Sequence, residues 1–348
     1  MMRLRFFAAL AILALVPGAS ACAVPAAGAQ VPESLAWRIT PSEAGAARVQ
    51  FELSYRTAHS TSQYGHDLDL AELQGLDRAA LDGGGNAPVR FRLVRDAGTF
   101  DCEGAAWRGS GTGTCRFVPG ADFAAELGRG GYGTPDEVQL FRLAIADIGR
   151  SYIAMLARQD YARPGVAELV DAGDHGVNLH YLGEMGALGY HVGTLPALIR
   201  MRDHGVGPDY VRSVVTAGLR DLPPDTLVRM RDHGVSAAYI GELRRLGYGG
   251  LGVERLIELR DHGVGADYVG ALSRSGLSGL SLEDLVRLRD HGVSADYVAA
   301  LREAGYAHFG PVELVRLRDN GVNGDFVRRV GAGGRLSADE LIRLRTGG

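Results

Sequence analysis

Apolar positions along most of the chain fall at helical spacing, and from about residue 124 the pattern repeats itself. The string Arg-Asp-His-Gly-Val recurs at one fixed interval, with its histidines at His204, His233, His262 and His291. Asp174-His175-Gly176-Val177 continues it upstream and Asp319-Asn320-Gly321-Val322 downstream, both in step. An aromatic column keeps the same interval: Tyr152, Tyr181, Tyr210, Tyr239, Tyr268, Tyr297 and Phe326. Seven copies are therefore in register, the last shortened at its end, and a fixed period of this length marks a repeat architecture.

Each copy holds two similar units of about 14 residues, an acidic or capping start, apolar residues at i, i+3 and i+4, then glycine and one more apolar residue. That order specifies a short amphipathic helix stopped by a left-handed glycine with a hydrophobic contact just beyond it. Ser281-x-x-Asp284 and Ser337-x-x-Glu340 read as capping boxes, and Thr134-Pro135-Asp136-Glu137 as another with proline at the first helical position. Where Asp147 stands in place of the stop glycine, residues 135 to 158 are expected to run as one long or kinked helix. Helices of about 10 residues are marginal alone. They must stack, which predicts an α-solenoid or superhelix of 29-residue two-helix repeats over 124–348.

Residues 31–120 carry a different period. Val49 to Tyr55 alternates around Phe51 and Leu53, and Val89 to Val94 around Phe91 and Leu93; Ala71-Glu72-Leu73 reads as a helical turn and Asp82 to Asn86 as a loop. A small antiparallel β domain follows, a sandwich or a curled sheet, so the fold class is α+β and multidomain. Its last two strands form a hairpin turning at Arg108-Gly109. With Trp107 facing Ser110, that register sets Cys102 directly opposite Cys115, within disulfide range. The hairpin is expected at one edge of the sheet.

The N-terminal segment, 1–29, differs again. Arg3 and Arg5 precede an apolar run from Phe6 to Val16 that ends at Pro17-Gly18, the layout of a signal peptide, with cleavage before Cys22 or before Gln30. A retained anchor is the alternative. Cys22 follows Ala19-Ser20-Ala21 and looks like a bacterial lipobox in which alanine stands where leucine is usual, making it a candidate for lipidation. Export also suits a Cys102–Cys115 bond, since removing or lipidating Cys22 leaves an even number of thiols.

Composition narrows the function classes. The 37 basic residues are all arginine, set against 41 acidic ones for a net charge of −4, which argues against nucleic acid as a partner. Glycine reaches 50 of 348 residues, about twice the usual ~7%, and the helix stops explain much of it. The histidine column is read as helix-end residues that satisfy carbonyls and complement the dipole, with Asn320 in the same role, rather than as metal ligands. Arg202, Arg231, Arg260, Arg289 and Arg318 form a solvated ridge, or alternatively an interaction ridge for an acidic protein, glycan or lipid head group. The tyrosine column is expected in the core, its hydroxyls reaching neighbouring copies. Gly128-x-Gly130-x-x-Gly133 lacks the βαβ context of a dinucleotide site and reads as a loop, and His59, His66 and Asp67 read as a polar turn before they read as a metal site.

The Leu-Arg-Asp-His-Gly-Val and Leu-Arg-x-x-Gly-Tyr repeats resemble helical repeats of uncharacterised exported bacterial proteins, which also occur as tails of sensor-type membrane metallopeptidases. The resemblance covers about 124 to 345 and, more loosely, the β domain. It implies an envelope location and a sensing or interaction role; the zinc-peptidase motif is missing, so no protease residues carry over. The expectation is a non-catalytic extracytoplasmic interaction or scaffold module, without cofactor or metal, serving envelope proteins and touching a membrane only through a lipid anchor. The alternative is a small-ligand or glycan-binding protein with a pocket where the β domain meets the first helices.

Overall fold

The computed structural model describes residues 31–32, 35–45, 47–56, 61–331 and 335–347. Segment 1–29, read above as a signal peptide, with Cys22, and His59 lie outside them. First comes a seven-stranded antiparallel sheet made of β1 (Leu35–Pro41), β2 (Arg48–Arg56), β3 (Thr61–Asp69), β4 (Leu73–Gln74), β5 (Ala87–Arg95), β6 (Gly98–Trp107) and β7 (Ser110–Pro119). Their spatial order is β3-β2-β1-β7-β6-β5-β4, and the sheet curls into half a barrel.

Period-two alternation places Leu35, Trp37 and Ile39 of β1, Phe51 and Leu53 of β2, and Val89, Phe91 and Leu93 of β5 in the core. Trp37 is 2% exposed, and its indole N–H donates to the Glu103 carbonyl at 3.1 Å. A Cβ at Gly104 or Gly113 would come within 2.7 Å of that indole. Part of the glycine excess therefore makes room for one tryptophan, a use separate from stopping helices. The helix Glu137–Ile145 covers the curl, with Phe141 meeting Tyr55, Phe100 and Phe117 at ring distances of 5.5, 6.2 and 5.4 Å.

The hairpin register is as expected: Trp107 opposes Ser110, Cys102 opposes Cys115 with Cα atoms 4.0 Å apart, and the disulfide is formed. Arg108 and Gly109 both take positive φ, the signature of a type I′ turn. The hairpin is not at an edge, however. The chain's first strand returns beside its last, pairing Leu35 with Cys115, while Phe91 of β5 pairs with Cys102 on the other side. The bond sits mid-sheet, where no local pattern could have located it.

After the helix Ala121–Arg129 the array begins. One layer holds Glu137–Ile145, Val166–Asp174, Leu195–Asp203, Pro224–Asp232, Val253–Asp261, Leu282–Asp290, Pro311–Asp319 and Ala338–Thr346. The other holds Arg150–Arg158, Leu179–Ala187, Pro208–Thr216, Ala237–Arg245, Ala266–Arg274, Ala295–Glu303 and Gly324–Val330. Helices one repeat apart stack within each layer. Between the layers lie columns such as Leu198, Leu227, Leu256 and Leu285, all at most 1% exposed.

The stops are Schellman turns. At the end of Leu195–Asp203, Gly205 takes φ +71°, its N–H bonds the Arg202 carbonyl, and the N–H of Val206 reaches back to Met201 at 2.8 Å. Asp147 was expected to let the first helix continue. Instead it adopts φ +54° and ends the helix as glycine does elsewhere, and Asp160 does the same after Arg150–Arg158; a short polar side chain tolerates that region. The capping box expected at Thr134 also shifts. Asp136 is the N-cap, exchanging bonds with Gln139, while Ser337 and Glu340 form theirs as read. Among the described residues no helix is long and apolar enough to cross a membrane.

Candidate functional site

The repeated polar columns prove to be couplings between copies. Tyr181, Tyr210, Tyr239, Tyr268 and Tyr297 sit in or beside the core, and each hydroxyl donates to the carbonyl of the Schellman valine one copy on, at 2.7 to 2.9 Å. Burial raises their pKa values, Tyr239 to about 12. The tyrosine expectation is met in both its parts by these five; Tyr152 is in the core, but its buried hydroxyl makes no hydrogen bond.

The histidines differ from expectation. Their main-chain N–H groups close the helix ends, but their imidazoles turn away from the carbonyls. His175, His204, His262 and His291 each direct Nδ1 at the aspartate of the next copy, at 2.7, 2.6, 2.9 and 3.0 Å, and His233 makes the same contact with Asp261. Asn320 alone keeps the capping role, donating to the Arg316 carbonyl at 2.8 Å.

The arginine ridge is exposed, yet its members are engaged. Arg202, Arg231, Arg260, Arg289 and Arg318 lie 5.0 to 5.3 Å over the rings of Tyr181, Tyr210, Tyr239, Tyr268 and Tyr297 in the preceding copy. A guanidinium stacked this way closes a repeat interface while leaving its outer edge to solvent.

A concave site forms elsewhere, between the half-barrel and the first helices. Its cavity of about 400 Å³ is floored by Phe51, Leu53, Leu68, Leu93 and Phe100 and roofed by Ala144 to Asp147 and by Asn178 to His180. Arg95 at the end of β5, with Glu72 and Asp147, builds its polar side. Arg95, its side chain 12% exposed, donates to Glu72 at 2.9 Å and to Asp147 at 3.1 Å, tying the sheet to the first helix break. Asp96 accepts the Arg150 main-chain N–H at 2.8 Å and pairs with its guanidinium, capping the next helix from outside. Gly149 leaves room for that contact, since a Cβ there would stand 2.4 Å from the Asp96 carboxylate and displace it.

Desolvation raises the pKa of Asp147, with Arg95 opposing it and Glu72 and Asp96 adding to it. Desolvation lowers that of His66 on the same wall, against a main-chain hydrogen bond to Ile145 that raises it. Asp67 is bound by Arg48 at 2.6 Å. Among the described residues no three His, Cys, Asp or Glu side chains converge to hold a metal ion. Sequence reading missed Glu72, Arg95 and Asp147, whose meeting depends on sheet curl; its one trace was the aspartate standing in a glycine slot.

In comparisons with known proteins, the chain matches no protein-family model and no curated sequence.

Proposed function

We propose that this is an extracytoplasmic, non-catalytic binding protein that takes a small ligand in the cavity between its half-barrel and its helical array. The observation that carries the reading is the cavity itself: an apolar floor on the sheet, a roof on two array helices, and an ionic side shared by both, the arrangement of small-molecule sites of about 300–1,000 Å³. A ligand there touches both parts of the protein at once, and the ladders of His–Asp, Tyr–carbonyl and Arg–Tyr contacts give the array the stiffness to hold its end of the site in place. The disulfide and the signal-like segment 1–29 support an envelope location.

The test is a thermal-shift titration with the small-molecule fraction of an envelope extract, comparing the wild type with Leu179→Trp, which fills the roof. A saturable rise in Tm that the filled variant lacks supports the reading. An equal rise in both places binding elsewhere.

A second reading, a scaffold that presents the array to an envelope protein, rests on the exposure of the arginine ridge. Cross-linking in the native envelope, with Arg231, Arg260 and Arg289 changed to glutamine, tests it. A stoichiometric partner must disappear from the variant while its helical content is unchanged.

A further inference from the structure

We infer that the cavity selects an amphiphile with a cationic head, an amine or guanidine on an apolar body; this rests on the proposed ligand-binding function. The body is specified by the floor, where Phe51, Leu53, Leu93 and Phe100 offer hydrocarbon and no hydrogen-bonding group. The head is specified by charge. Three carboxylates line the site, Asp67, Glu72 and Asp147. Arg48 neutralises Asp67 from outside, leaving two carboxylates that share the single guanidinium of Arg95.

The other charged groups packed around the site do not correct this imbalance. Arg142 is bound by Asp174, Arg150 by Asp96 and Glu126, and His180 by Glu184. His66 stays neutral near pH 7 because desolvation disfavours its cation. One negative charge is thus left beside an apolar cavity, where desolvation first, and Glu72 after it, disfavours the ionised form of Asp147. An anionic head would add to the repulsion, and a neutral one would leave it unchanged. A cation between Glu72 and Asp147 relieves it, in surroundings where an ion pair is stronger than in water.

Matched eight-carbon probes test this on the full chain: n-octylamine, 1-octanol and octanoate, titrated calorimetrically at pH 7. The expected order is octylamine tightest, by at least tenfold over octanol, with octanoate weakest. The preference should fall to within threefold in Glu72→Gln/Asp147→Asn. That variant is conservative, since glutamine keeps the capping bond that Glu72 gives the Asp69 N–H and asparagine tolerates the positive φ of residue 147. Equal binding of all three probes, abolished by Leu179→Trp, overturns the cation inference and leaves the binding site standing. Octanoate binding tightest overturns it outright. No binding by any probe, with no effect of Leu179→Trp on the extract titration, overturns both. Because the wild-type order is itself decisive, the inference stays testable if the double variant does not fold.

Discussion

Replacing Gly234 by alanine perturbs two things at once, and a second glycine separates them. Gly234 holds φ +69°, and a Cβ there would stand 2.9 Å from Nη2 of Arg260, whose guanidinium lies 5.0 Å over Tyr239. An L-residue in the left-handed region costs roughly 1–2 kcal/mol. Pushing the guanidinium off the ring forfeits about 0.5–1 kcal/mol for an exposed cation–π contact. Gly234→Ala should therefore destabilise by roughly 1.5–3 kcal/mol.

Gly292 has the same conformation, φ +66°, but the nearest atom to its Cβ is Nε of Arg318 at 3.9 Å. Gly292→Ala should carry only the backbone cost, about 1–2 kcal/mol. Both substitutions change the unfolded chain alike, so the difference between them is firmer than either value. Gly234→Asn reverses the balance, easing the backbone while still displacing Arg260. Urea unfolding followed by far-ultraviolet circular dichroism, with unchanged m-values, gives the three numbers. Equal losses at 234 and 292 would falsify the coupling role of the arginine stack, and losses below about 0.5 kcal/mol at both would refute the conformational account of the glycine period.

Three further outcomes are expected. Cys102→Ala/Cys115→Ala removes a bond between cysteines 13 positions apart and should lower the stability of the sheet by roughly 2–4 kcal/mol, read from the unfolding of tryptophan fluorescence. Asp96→Ala uncaps the helix Arg150–Arg158; a loss of about 1 kcal/mol and faster amide exchange in its first turn are expected, and unchanged exchange would show that Asp96 is not its cap. His262 is held above its ordinary range chiefly by its hydrogen bond to Asp290. A raised folded pKa means stabilisation fully present below the unfolded value near 6.5 and lost as pH rises through the folded one. An NMR titration of His262 should report that elevated midpoint, Asp290→Asn should return it toward 6.5, and an unmoved midpoint would exclude the pair.

The periodic part of this protein is legible in its sequence because each copy states its own local structure. Capping residue, apolar spacing, stop glycine and following valine all fall within a single helical unit, and repetition checks the reading copy after copy. The Cys102–Cys115 pair was legible for the same reason, since a two-residue turn sets the register by counting. Where a contact spans copies, sequence alone showed the columns but not their partners. His204 meets Asp232 rather than its own helix end because the pitch of stacking, which no single repeat encodes, brings the next copy's aspartate within reach.

The sheet order and the binding cavity were decided only by tertiary structure. That β1 lies between β2 and β7, and that the β5–β6 turn plugs the break between two array helices, are long-range pairings without a local signal. Glu72, Arg95 and Asp147 come from three separate elements, and each alone reads as an ordinary surface charge. Their sharing of one guanidinium at the mouth of an apolar cavity arises from curvature and docking, which follow from how whole faces pack.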